Sequence, residues 1–342
     1  MNKRIFWTWI CLTLLFVSFK MAGEQTVIPF KTPRKWPKPA YDFKKSPLTQ
    51  EGFELGRKLF YDPIFSRDST ISCSSCHLQY TGFTHVDHAV SHGIDGKKGT
   101  RNSPVLINLA WNRSFHWDGG VNHIEVQALN PIKHPAEMDN TLEEVIKRLQ
   151  RSTIYPALFE KAFGTREITT ARIMKALTQY ELSLVSANSK YDQVMRKEKG
   201  VSFSEQEKNG LELFREHCAM CHSEPLFTND FFASIGLPMD PQIKDVGRYG
   251  ITNDPNDSLL FKIPTLRNIE YTFPYMHDGR FKKLKEVLQF YAEEIDTTAR
   301  NLHPSLRQKI LLSENERKDI IAFLYTLTDK EFLFNKRLSF PK

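Results

Sequence analysis

The chain has 342 residues, 40% of them hydrophobic and 25% charged, with a formal net charge of +7. That length is enough for two domains with their own cores, and the ordinary composition excludes a long disordered tract. No basic stripe interleaved with aromatics gives a basis for nucleic-acid binding, and the moderate positive charge suits an acidic partner as well as it suits solubility.

At the N-terminus, Asn2-Lys3-Arg4 precedes an apolar run from Ile5 to Phe19. This reads as a secretory signal, being shorter than the roughly 20 residues of a spanning helix. Lys20-Met21-Ala22 is a poor cleavage site, so residues 1–23 are either a signal peptide or an uncleaved membrane anchor. Cys11 has no lipobox around it and counts as a small apolar residue. Residues 24–47 carry five prolines among lysines, which predicts an extended linker or wrapping arm.

Phe53, Leu55, Leu59 and Phe60 predict a short amphipathic helix that Asp62-Pro63 ends. It leads to Cys73-Ser74-Ser75-Cys76-His77, and the pattern recurs at Cys218-Ala219-Met220-Cys221-His222. C-x-x-C-H is the attachment pattern of c-type haem: the two thiols bond the vinyl groups and the histidine ligates the iron. The two strings use every cysteine except Cys11, which leaves no pair for a disulfide. Haem of this type is attached outside the cytoplasm, in agreement with the N-terminal signal, so a periplasmic location is expected.

Residues 78–120 are rich in Gly, Asn, Asp, His and Ser and show no helical period, which predicts a functional loop around a buried group. Thr141 to Glu144 is a capping box, and 169–187 reads as a longer helix. Lys190 to Gly200 reads as a charged crossing between domains. Ser204 to Glu207 caps a second helix leading to Cys218, repeating the helix-then-motif order of the first half; beyond that, the halves show little similarity. Lys283 to Glu294 is helical by pattern, Ser313 to Glu316 caps a last helix, and Phe332 to Lys342 should lie back on the body. The expected fold is mostly α, with long loops and two cytochrome c-like domains, 48–195 and 196–342, each with one covalent haem.

The runs Arg101-Asn102-Ser103-Pro104, His116-Trp117-Asp118-Gly119, Gln127 to Ile132, Glu137-Met138 and Phe273 to Gly279 resemble the bacterial di-haem cytochrome c peroxidase and MauG superfamily over roughly residues 48–330. The resemblance implies that the first haem is peroxidatic, with Gln127 and Glu137 on its distal face and Pro131 between them. A carboxylate there can move a proton between the oxygens of peroxide, and an amide can orient them. His92 matches a loop histidine that closes this haem at rest; His85 and His88 are nearby competitors. Trp117 matches a tryptophan placed between the haems, although Gly120 stands where an arginine is usual. For the second haem, the position of the peroxidases' sixth-ligand methionine is Tyr291, as in the MauG branch, with Met276 the runner-up. One calcium ion on Asn102, Thr272 and Pro274 is also implied, and family members are often dimers.

Three functions compete. One is a peroxidase fed by a small c-type cytochrome or cupredoxin, with hydrogen peroxide as substrate. Another is a MauG-like oxidase that uses peroxide on a protein or organic substrate, a reading Tyr291 favours. The last is a non-enzymatic electron carrier, which the Gln127/Glu137 pair argues against.

Overall fold

A computed structural model describes residues 25–341. The expected signal or anchor and Cys11 fall outside these residues. The described chain is mostly helical: α1 (Gln50–Tyr61), α2 (Cys73–Cys76), α3 (Ile124–Gln127), α4 (Leu129–Lys133), α5 (Leu142–Arg151), α6 (Tyr155–Phe163), α7 (Thr170–Leu182), α8 (Lys190–Met195), α9 (Glu205–His217), α10 (Tyr249–Thr252), α11 (Leu284–Gln289), α12 (Glu314–Tyr325) and α13 (Lys330–Leu333). Two two-stranded antiparallel pairs accompany them, β1 (Val27–Ile28) with β2 (Leu48–Thr49) and β3 (Phe232–Ala233) with β4 (Phe261–Lys262).

Each half is built on one helix crossing. In the first, α1 packs on α7, and Gly56 permits the approach: a Cβ there would lie 1.9 Å from the Ala176 carbonyl oxygen. In the second, α9 packs on α12, and a Cβ at Gly210 would lie 1.9 Å from the Asp319 carbonyl oxygen. Phe53, Leu59, Phe60, Leu177 and Tyr180 fill the first core; Phe214, Phe227, Ile320 and Phe323 fill the second. The C-terminal tail lies back on the first core, where the Tyr61 and Tyr180 hydroxyls both donate to the Leu338 carbonyl, at 2.9 and 2.6 Å. Residues 25–47 form an arm with turns and one short strand, β1. It lays Trp36 edge-on against Trp111, whose indole N–H donates to the Pro37 carbonyl.

The halves share more than the sequence reading expects. Asn108 to Val121 and Asn268 to Phe281 have the same backbone. Each starts with an asparagine at φ 59° or 60°, makes one 3₁₀ turn, and places a bulky residue (His116 or Met276) at φ 66° or 73° and a glycine (Gly119 or Gly279) at φ 68° or 67°. Each is closed by one bridge, Phe115 to Val121 and Tyr275 to Phe281. The shared spacing of Asn, aromatic and Asp-Gly is readable in the sequence, but it is obscured by different residues between.

Three element boundaries are corrected. The helix expected to 187 ends at Leu182. Lys190 to Gly200 opens with α8, which Ser189 and Asp192 cap reciprocally. The driving force is burial: Asp192 meets the fully buried Arg267 guanidinium through two bonds of 2.8 Å, and Arg267 also stacks on Trp36. Lys283 to Glu294 is helical only to Gln289 and then widens into a π turn, Phe290–Glu294.

Candidate functional site

In both C-x-x-C-H strings the histidine is held the same way. The His77 Nδ1 is 2.7 Å from the Phe83 carbonyl oxygen; the His222 Nδ1 is 3.2 Å from that of Phe227 and 3.1 Å from that of Pro264. A carbonyl only accepts, so Nδ1 carries the proton and Nε2 keeps its lone pair. Phe83 and Phe227 take left-handed φ values of 58° and 55°, uncommon for a bulky residue, and these turns aim the carbonyls at the rings. Burial pushes both histidines down to about 4, so they are neutral rings at physiological pH. Burial also raises Cys76 to about 11 and Cys218 to about 12, and all four cysteines of the strings are free thiols. Paired thiols beside a neutral imidazole with a free Nε2 fit a covalently held haem at each string.

The surroundings of the two strings differ. At the first, Glu137 lies close enough to Cys76 to raise its pKa, and its own carboxyl is raised by desolvation, with His134 opposing. The turn that carries Glu137 is fixed from behind: the Ile94 N–H donates to the Glu137 carbonyl at 2.8 Å, and a Cβ at Gly93 would lie 2.3 Å from the same oxygen. Gln127 ends α3, and Pro131 accepts from the Met138 N–H at 3.1 Å, which closes the loop between the two.

Glu181, absent from the sequence reading, belongs to this site. It is 4% exposed on α7, raises the Cys73 thiol, and is itself pushed up to about 8 by burial, with the Gln127 side chain opposing. Its signal in the sequence is a carboxyl on the Ile173–Leu177 stripe of an otherwise apolar helix face.

At the second string, a cavity of about 390 Å³ is lined by Cys218, Cys221 and His222 together with Met276 and Tyr291. Tyr291 sits in the π turn, a geometry frequent at functional sites. Burial raises its phenol, and Cys218 and Cys221 raise it further, so it ionises only against a positive partner such as ferric iron. Met276 shares the cavity.

Trp117 lines the same cavity from the first half. Its indole N–H donates to the Asn102 carbonyl at 2.8 Å, and its ring stands edge-on to His277 at 6.5 Å. Its neighbour His116 is near enough to His77 to depress that ring's pKa. Gly120 leaves no loose carboxylate, because Asp118 accepts from Arg101 at 2.5 Å, and Arg101 also grips Asp245 with bonds of 2.6 and 2.9 Å. Asn102 and Pro274, two of the three expected calcium donors, meet at 2.6 Å through the amide nitrogen. To serve a cation, that amide must turn its oxygen inward. Thr272 is buried.

His85, His88 and His92 are brought together as one cluster. The His92 carbonyl accepts from the Cys76 thiol at 3.4 Å, so the cluster adjoins the first string.

The family model described as di-haem cytochrome c peroxidase matches residues 50–200. The chain is 36% identical over 308 residues to the methylamine utilization protein MauG of Methylorubrum extorquens, covering 87% of this chain and 83% of that one. It is 33% identical over 287 residues to the cytochrome c551 peroxidase of Nitrosomonas europaea, covering 83% and 81%. Among solved structures, a MauG-like protein associated with microbial copper homeostasis superposes with a TM-score of 0.83 at 32% identity, over 92% of this chain and 99% of that one.

Proposed function

The chain belongs to the di-haem cytochrome c peroxidase family, and from that premise we propose that it reduces hydrogen peroxide at a haem held by Cys73, Cys76 and His77. Electrons reach that haem from a second one, held by Cys218, Cys221 and His222. Haem c bound at the two strings supplies the irons that bind peroxide and pass electrons. Each turnover takes two electrons and two protons and converts one hydrogen peroxide to two waters.

The observation that carries this reading is Glu137 set against Cys76 with its carboxyl raised. A carboxyl whose pKa is raised is a better match for moving a proton between the outer and inner oxygens of peroxide. Gln127 orients the peroxide without adding charge, and Glu181 holds the Gln127 amide. Trp117, hydrogen-bonded to Asn102 and lining the second cavity, supports a route between the two sites. His92, whose carbonyl accepts from the Cys76 thiol, would serve as a displaceable ligand of a haem held at the first string. The N-terminal signal and the covalent haems support a periplasmic enzyme fed by a small cytochrome or cupredoxin. Among the described residues no helix is long and apolar enough to cross a membrane.

The test is a steady-state peroxidase assay with a reduced c-type cytochrome as donor, on wild type and Glu137→Gln. Equal activity in the two would refute the assignment of Glu137. Calcium on Asn102, Thr272 and Pro274 is part of the proposal: a chelator should lower the melting temperature of wild type and leave that of Asn102→Ala unmoved.

Tyr291 favours a second reading, in which peroxide serves to oxidise a protein or organic substrate, the MauG-like branch. An oxygen-anion ligand from Tyr291 would lower the potential of a haem held there and suit it to store an oxidising equivalent. Peroxide turnover without a cytochrome donor, coupled to loss of an added phenol or indole, would favour this branch.

A further inference from the structure

We propose that His85, His88 and His92 bind one divalent transition ion of the zinc or copper class. One ligand atom from each of the three lies within 4.8 Å of the others. His88 Nδ1 and His85 Nε2 are already 3.3 Å apart. The two rings share a hydrogen bond there, and the distance matches the roughly 3.4 Å between donors that each stand about 2.1 Å from a tetrahedral ion. The His92 ring stands at right angles to the other two, with centroids at 4.4 and 5.3 Å.

The fold holds one of the three rings inside. His85 is 4% exposed, and its Nδ1 is buried with no hydrogen-bond partner. That is the ring's other nitrogen: with Nε2 on the ion, Nδ1 would be the one that carries the proton. The loop is also prepared for binding. One end is pinned by the bridge from Leu78 to Thr84, the other by that from His92 to Lys98, and Gly93 is wedged against the Glu137 carbonyl. His85 is thus fixed inside while His88 is exposed, which gives an ion a way in. Three imidazoles without a carboxylate select zinc, copper or nickel over magnesium or calcium.

The site stands on these side chains and not on the peroxidase reading. One consequence does rest on that reading: an ion here holds the imidazole that closes the first haem at rest, so the ion and the iron compete for His92.

The experiment uses the untagged, metal-depleted full chain carrying both haems, titrated with zinc by calorimetry and followed at the Soret band. Wild type should take up one equivalent. His88→Ala, at an exposed position and checked for intact haem spectra, should bind about tenfold or more weakly. No zinc uptake by wild type, or unchanged affinity in both His88→Ala and His85→Ala/His88→Ala, would overturn the site. Zinc uptake that leaves the Soret band unmoved would remove His92 from the iron and leave the site standing.

Discussion

The two halves carry the same frame and different sites. In each, a glycine lets two helices cross in van der Waals contact, a phenylalanine with left-handed φ turns its carbonyl onto a motif histidine, and an Asn-to-Asp-Gly segment repeats with the same bridge. What differs is the material set around the thiols. The first half places Glu137 near Cys76 and Glu181 near Cys73; the second places Tyr291 and Met276 in a cavity that Gln127 and Trp117 of the first half also line. A duplicated scaffold fixes where the proximal histidines go. What differs between the halves lies in other segments: α3–α4 carries Gln127, and the π turn carries Tyr291.

The largest expected effect strikes one half alone. Glu137→Gln should lower peroxidase kcat/KM by about 10²- to 10⁴-fold, the usual yield of a positioned acid–base group, while the second haem's spectrum stays the same. A matching change in both spectra would break the distinction between the sites. Next, Gly56→Ala and Gly210→Ala should each destabilise the protein by about 1–3 kcal/mol through overpacking, read from chemical denaturation. Comparable losses would sharpen the account of one shared frame; a loss confined to Gly56→Ala would count against it.

Glu181→Gln should act through pH. Glu181's folded pKa of about 8 lies above its ordinary 4.5, so the native state holds a proton that the unfolded chain releases. Stability is therefore full below pH 4.5, falls as pH rises, and levels off above about 8. The variant should flatten that decline, measured as the urea midpoint across the window. A decline of unchanged slope would place the ionisation elsewhere.

Local chemistry made much of this legible. C-x-x-C-H needs only neighbours in sequence, and Ser204/Glu207 and Ser313/Glu316 cap their helices reciprocally as their spacing predicts. Glu181 was not legible as a site residue, because its meaning depends on Gln127 and Cys73, more than fifty positions away, closing over it. Nor was α8, whose charged sequence conceals the Asp192–Arg267 pair that buries it. The histidine cluster falls between. His85, His88 and His92 are close in sequence, but only the bends between the two bridges bring their rings together.

The inequality of the two irons is tested most directly by potentiometric titration of wild type and Tyr291→Met, with the haems resolved by their spectra. With Tyr291 as an oxygen ligand, the second haem of wild type should be low in potential. The substitution should raise it toward Met/His values without moving the first haem. A second haem already at clearly positive potential in wild type, unmoved by Tyr291→Met, would contradict the account and pass the ligand role to Met276.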